Sequence, residues 1–265
     1  MPIVFAATVP HPPILIKEIG KDHLKKIKKT QAAFKTLEQE LYAAKPESII
    51  IIAQHGNILA DAFNINLNAD YTGHFKEFGD FAVEFKFRSD YMTIQNIRAG
   101  DEMHKKVPIT LTSDQAIDYG FSVPLHLLTQ HLKNSSVVPI TTSGLDSQAH
   151  FDFGKFLNDQ LSKIDKRIAV ISSADLSHKL TEDAPAGYSK NAKKFDEEII
   201  EAIKKNDVKN LLKINEEKIV DAGDAEIKPI ITLLGIINTI SFKPEILAYE
   251  GPFGVGYLVA NFKLS

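Results

Sequence analysis

Three of the nine histidines in this 265-residue chain stand just beyond apolar, β-rich runs. His11 follows Ile3 to Ala7 and opens a rigid His11-Pro12-Pro13 turn. His55 follows Ser48 to Ala53, which holds four consecutive isoleucines. His178 follows Ile168 to Ser172, in Ser173-Ala174-Asp175-Leu176-Ser177-His178. In sheets of parallel strands, functional groups gather beyond the C-terminal strand ends. If the first two strands are parallel neighbours, His11 and His55 emerge at one edge and can converge on a metal ion. With one carboxylate, two imidazoles make the facial triad that binds non-haem Fe(II) and keeps coordination positions open. Glu226, in Gly223-Asp224-Ala225-Glu226, and Glu250, in Tyr249-Glu250-Gly251, are the two candidates for the carboxylate. Spacing alone does not choose between them.

The elements that must position these groups alternate. Strands are predicted at Ile3 to Ala7, Ser48 to Ala53, Phe81 to Phe87, Ile109 to Thr112, Val137 to Thr141, Ile168 to Ser172, Glu245 to Tyr249 and Val255 to Phe262. Helical periodicity runs from Asp22 to Ala44, where Leu24, Ile27, Phe34, Leu37 and Leu41 repeat at spacings of three, four and seven. Further helices are predicted at Asp90 to Lys105, Phe151 to Ile164, Tyr188 to Lys205 and Val208 to Ile214. One more spans Val123 to Leu132, beginning after Pro124. Another spans Glu226 to Thr239, with Pro229 near its start, where a helix tolerates proline. The isoleucine run suits a strand buried on both faces. Interleaved strands and helices imply an α/β three-layer sandwich, with a central mixed, largely parallel sheet flanked by helices. We expect one catalytic domain over residues 1–265.

Composition narrows the chemistry. Hydrophobic residues make up 44% and charged residues 25%, which is ordinary for a folded domain. With 31 Lys+Arg against 34 Asp+Glu the formal charge is −3, arguing against nucleic acid or an anionic membrane as the main partner. There is no cysteine, so thiolate metal sites, iron–sulfur clusters and a catalytic thiol are excluded. Any metal site must use histidine, carboxylates and water. No apolar run nears the ~18–20 residues of a membrane span, and the proline-interrupted start does not read as a signal peptide, so a cytoplasmic location is expected.

The other polar residues have plainer readings. His23, His74, His104, His131 and His150 read as surface or hydrogen-bonded structural residues, and His126 as flanking the core. Asp221 and Asp224 can cap the helix near Glu226. Glu250 can cap a turn. Asp118-Tyr119-Gly120 through Leu125 can be a turn entering a helix. Arg88 and Arg98 suit solvated faces.

Taken in chain order, the segments Val9-Pro10-His11-Pro12-Pro13, Ala53-Gln54-His55-Gly56, Asp118-Tyr119-Gly120 through Val123-Pro124-Leu125, Asp175-Leu176-Ser177-His178-Lys179-Leu180 and Gly223-Asp224-Ala225-Glu226 resemble the class III extradiol ring-cleavage dioxygenases. More narrowly, they resemble the catalytic subunits of that class, with the Memo family a more distant relative. The resemblance implies that His11, His55 and Glu226 hold the metal, Fe(II), and that His178 is the acid/base residue. A small aromatic substrate and dioxygen would be the reactants. It also implies a homodimer, with any accessory subunit a separate chain. In the family a second active-site histidine often stands where this chain has Tyr119. A phenol can donate a hydrogen bond but is not a cation at neutral pH, so Tyr119 is expected to orient or polarise. Ser177 and Asp175 could fix the tautomer of His178. Two alternatives stay open: a Memo-like metal-binding protein without ring cleavage, and a zinc hydrolase, since two histidines, a glutamate and water also make a hydrolytic zinc site.

Overall fold

The computed structural model describes residues 2–104 and 107–265, the side chains of residues 103 and 104 excepted. Among these residues the strands are β1 (Ile3–Val9), β2 (Ser48–Ala53), β3 (Phe63–Asn66), β4 (Asp70–Phe75), β5 (Asp80–Arg88), β6 (Ile109–Thr112), β7 (Ser136–Thr141), β8 (Ile168–Ser173), β9 (Phe242–Glu250) and β10 (Tyr257–Leu264). The helices are α1 (Lys17–Gly20), α2 (Lys28–Ala44), α3 (Tyr91–His104), α4 (Tyr119–Leu128), α5 (Ser147–Leu161), α6 (Ala192–Lys204), α7 (Val208–Leu212), α8 (Glu216–Asp221) and α9 (Ile227–Ile236).

Eight strands form one sheet in the order β6-β3-β7-β2-β8-β1-β10-β9. The central run β7-β2-β8-β1 is parallel. The β3–β7, β1–β10 and β10–β9 pairs are antiparallel, so the sheet is mixed, as expected. The isoleucines of β2 show why it is central. Ile50 and Ile52 enter the core shared with α5 and α9, whereas Ile49 and Ile51 enter the core shared with α2 and α4. Every residue of β2 is buried. A strand with apolar groups on both faces needs helices on both sides, which gives the three layers.

Several boundaries differ from the sequence reading. The periodic stretch before Lys28 is a 3-10 turn over Lys21–Lys26 rather than the start of α2. Helix α4 begins at Tyr119, five residues before Pro124, which lies inside it. Its start is set by Asp118, whose carboxylate accepts from the Gly120 N–H. Strand β5 pairs with β4 as a separate hairpin, which accounts for its wet face. Neither β3 nor β4 is among the predicted strands: β3 has four residues, of which only Phe63 and Ile65 are apolar, and β4 places Gly73 between Tyr71 and Phe75. Lys105, placed at the end of the second predicted helix, lies outside the described residues.

One correction bears on the site. β1 and β2 are parallel but not neighbours, because β8 runs between them. In register, Ser173 of β8 pairs with Val9 on one side and Ala53 on the other. The three strands therefore end level, and the loops after them meet above the sheet edge. Roughly 10 Å separates β1 from β2 across two strand spacings, which the side chains of His11 and His55 span from opposite sides.

Candidate metal centre

Two residues of the candidate triad come from the loops after central strands, and the third from the loop that enters a helix. His11 follows β1, His55 follows β2, and Glu226 occupies the cap position of α9. One ligand atom from each lies within 4.8 Å of the others. The rings of His11 and His55 meet edge-on with centroids 4.5 Å apart. His55 Nε2 is 3.1 Å from Glu226 Oε1, and His11 Nε2 is 3.6 Å from Glu226 Oε2. His11 and Glu226 are buried, and His55 is partly so.

Both imidazoles are held so that Nε2 faces the carboxylate. His55 Nδ1 lies 3.0 Å from Asp118 Oδ1. A carboxylate only accepts, so that nitrogen carries the proton. His11 Nδ1 lies 2.9 Å from Ser173 Oγ. The Ser173 hydroxyl donates to the Gly120 carbonyl, which leaves its oxygen to accept from His11 Nδ1–H. Pro124 explains why that carbonyl is free. Proline has no N–H and cannot bond the carbonyl four residues back in the helix, and four residues back is Gly120. A chain thus runs from Pro124 to Gly120, to Ser173, to His11. It leaves the His11 Nε2 lone pair pointing at the cluster, the arrangement in which a histidine's other nitrogen fixes its ligating one.

Gly120 also makes room for His55. A Cβ there would lie 2.6 Å from both Cβ and Cγ of His55. Only glycine lets the N-terminus of α4 pass this close.

The electrostatics favour a bound cation. Burial pushes the Glu226 and Asp175 carboxyls up, Asp175 further because of the Glu226 charge. Burial drives His11 well below its ordinary value, with the charges of His55 and His178 adding to the effect. Burial also works against a charged His55, but hydrogen bonds to Asp118 and Glu226 outweigh it and raise His55 to about 10. With no metal ion, a proton on His55 Nε2 therefore bridges to Glu226. A metal ion replaces that proton with a larger positive charge at the same place. Two imidazole lone pairs and one buried carboxylate fit such an ion, and the donor set suits iron or zinc.

Among the remaining candidates, Glu250 is elsewhere. Its Oε1 accepts from both the N–H and Oγ1 of Thr30, each at 2.8 Å, capping the first turn of α2 from across the fold. Neither Asp221 nor Asp224 caps α9. Asp221 accepts from Ser189 and Asn191, Asp224 sits at φ 59°, and Glu226 itself takes the cap position. Ser177 and Asp175 do not hold His178. Ser177 Oγ donates to the Ala222 carbonyl and Asp175 Oδ1 accepts from the His11 backbone N–H, leaving His178 Nδ1 without a side-chain partner. His178 lies on the cluster side all the same. Burial lowers it, and so does the charge of His55. The Tyr119 ring packs 4.5 Å from that of His55 and 5.7 Å from that of His11. Burial, then the Asp118 and Glu226 charges, push its phenol up to about 12, so it remains a donor at neutral pH.

The plain histidine readings hold for most positions. His150 is buried and hydrogen-bonded on both ring nitrogens, to Ser143 N and Asp146 O. His131 pairs with Glu38, His23 packs on Phe253, and His126 lies between Phe75 and Phe85. Arg98 pairs with Glu102 on an exposed face. The side chain of His104 lies outside the described residues. Asp118, Ser173 and Asp175 are the site residues that sequence reasoning did not place at the triad. Their signal was position, because Ser173 and Asp175 end and follow the strand that separates β1 from β2.

Comparison with known proteins agrees with this architecture. The structure of an uncharacterized protein, JW3007 from Escherichia coli K12, superposes with a TM-score of 0.68 over 98% of this chain and 99% of that one, at 14% identity. Protein CA_C1420 of Clostridium acetobutylicum is 30% identical over 96% of this chain. The chain spans 56% of that relative's length. Residues 5–260 match the family described as the catalytic LigB subunit of aromatic ring-opening dioxygenase, and the chain belongs to that family.

Proposed function

We propose that the protein is an Fe(II)-dependent extradiol dioxygenase that opens a catechol-like or aminophenol-like ring, with His11, His55 and Glu226 as the metal ligands. The observation that carries this reading is the pair of fixed tautomers. Asp118 and Ser173 each hold one Nδ1–H, so both Nε2 lone pairs converge with a buried carboxylate. When bound, the metal ion would supply Lewis acidity toward ring hydroxyls and hold ring and dioxygen side by side.

The chain's own groups supply the rest. His178, lowered by burial and by the charge of His55, is a neutral base at pH 7. It accepts a proton from a ring hydroxyl at Nε2 and later returns it. Tyr119 donates a hydrogen bond without transferring its proton, since its phenol stays protonated up to about 12. Its ring and that of Phe78, 5.2 Å apart, supply an aromatic wall for a planar substrate. Asp175 anchors the His11 backbone, and its Oδ2 lies 3.9 Å from His11 Nε2.

Anaerobic loading with Fe(II), addition of a catechol and admission of oxygen tests the reading. Iron-dependent oxygen uptake with a ring-opened product is expected. Hydrolytic activity with zinc, or tight metal binding with no oxygen uptake across catechols and aminophenols, would overturn it.

A further inference from the structure

Asp196 is a buried carboxylate outside the metal triad. It lies on α6, three and four residues before Ile199 and Ile200, and so takes a place on the apolar face of that helix. Its side chain is 0% exposed. Oδ1 accepts from the Ser177 N–H at 2.9 Å, and Oδ2 accepts from the Tyr249 hydroxyl of β9 at 2.6 Å. Both partners are neutral. A carboxylate buried among neutral donors is costly to the fold, and burial pushes this one up to about 6. Packing alone would be served better by an apolar residue.

What Asp196 holds is the segment that carries His178. The N–H groups of Leu176, Ser177 and His178 are all bound. Leu176 donates to the Gly256 carbonyl at 2.9 Å, and His178 donates to the Ala222 carbonyl at 2.8 Å. Of the three, Ser177 alone donates to a side chain, that of Asp196. A peptide group is planar and trans, so fixing the Ser177 N–H aims the Leu176 carbonyl the opposite way. That carbonyl acts on the His178 ring, raising it against burial. The ring has no side-chain partner at Nδ1, so its direction depends on its backbone. Gly256 makes room for the carboxylate, since a Cβ there would lie 2.1 Å from Asp196 Oδ2.

We propose that Asp196 is a positioning residue for His178: through the Ser177 N–H it fixes the Leu176–Ser177 peptide, and with it the direction and tautomer of the His178 ring. Tyr249 fixes the second oxygen of the carboxylate and so its orientation. The inference rests on the reading of His178 as the base of the metal centre. Asp196 acts through His178 and touches neither substrate nor metal ion. The same segment is tied to the metal side. The Ala222 carbonyl accepts from the His178 N–H and from Ser177 Oγ, at 2.8 and 2.9 Å, and Ala222 stands in the turn that leads to Glu226. Base and carboxylate ligand therefore share one frame, and Asp196 sets the orientation of the base within it.

Long-range proton–nitrogen correlation spectra of the whole chain read the His178 tautomer without any turnover. Wild type is expected to carry the proton on Nδ1, since Nε2 must be free to accept. Asp196→Ala should give a mixture of tautomers. Asp196→Asn keeps an acceptor for the Ser177 N–H and should restore the wild-type form. Asp196→Leu with Tyr249→Phe fills the same volume without either polar partner, and it takes the place of the alanine variant if that one does not fold. An unchanged tautomer in the folded loss variant would overturn the proposal. In iron-loaded protein, Asp196→Ala should lower kcat by roughly ten- to hundredfold, the effect of moving a reacting group out of line, with iron content and KM kept. In the His178→Ala background it should add nothing, because the two residues act as a unit. A further loss in that background would make Asp196 a residue of the fold alone and would also overturn the proposal. If wild type takes up no oxygen, the dioxygenase reading fails, and the tautomer comparison still decides the role of Asp196.

Discussion

Asp118 holds His55 from behind: its Oδ1 lies 3.0 Å from His55 Nδ1, while Nε2 on the far side of the ring lies 3.1 Å from Glu226. The residue that starts α4 thus also sets the tautomer of a metal-ligand candidate. Asp118→Asn removes the charge and can present its N–H₂ to Nδ1, favouring the wrong tautomer. Metal affinity should fall by about 10–100-fold, the usual effect of losing such a partner. A chelator competition on the purified variant checks this, and unchanged affinity would remove Asp118 from the account.

The proton on His55 makes metal binding pH-dependent. Without metal, His55 is raised from 6.5 to about 10 by its two carboxylate partners, against the effect of burial. The stability this provides is complete below pH 6.5 and is lost as pH rises through about 10. A metal ion must displace that proton, so affinity should rise with pH across this window, by about tenfold per unit where one proton is released. Chelator competition at pH 7 and pH 9 is expected to differ by about a hundredfold. In Asp118→Asn the dependence should flatten, because a partner that raises His55 is gone.

Glu226 and Glu250 separate cleanly in function. Glu226→Gln should abolish metal retention. Glu250→Gln should retain the metal and lose about 1 kcal/mol of stability, as expected for a weakened helix cap. Metal content and thermal unfolding of the two variants give the answer, and loss of metal from Glu250→Gln would contradict the geometry.

The run from Pro124 to His11 predicts a remote effect. Pro124→Ala restores a helical N–H that competes for the Gly120 carbonyl now taken by Ser173. Ser173→Ala removes the hydroxyl outright. Both should loosen His11 and weaken metal binding, Ser173→Ala by about tenfold or more and Pro124→Ala by less. Stability should change little for Pro124→Ala, because the gained hydrogen bond offsets the lost one. Equal metal affinity in wild type and Ser173→Ala would break this chain of contacts.

How much of this was legible in the sequence follows from which interactions are local. The four isoleucines of β2 state their burial directly, because both faces of a central strand must be apolar. The histidines after β1, β2 and β8 were visible as polar residues ending apolar runs. That β8 separates β1 from β2 was not visible, since strand order depends on crossovers rather than on periodicity. For the same reason Asp175 looked like a partner for nearby His178, although it bonds the His11 backbone from 164 residues away. Pro124 looked like a helix boundary, and it is instead an interior residue whose missing N–H has a use. β3 escaped notice because it is four residues long with only Phe63 and Ile65 apolar, and its asparagines bond backbone groups of neighbouring loops, Asn64 to Asn57 and Asn66 to Asp114.

The central claim is that His11, His55 and Glu226 hold an iron ion at which a ring is opened, with His178 moving the proton. The most direct test measures iron content, oxygen uptake and ring-opened product together, in wild type and in His178→Ala, after anaerobic loading with Fe(II) and a catechol. The account predicts equal iron in both proteins, iron-dependent uptake in wild type, and a loss of about 10²–10⁴-fold in the variant. Loss of iron from His178→Ala would make His178 a ligand. Full iron with no uptake from wild type across the catechols and aminophenols would contradict the ring-opening claim itself.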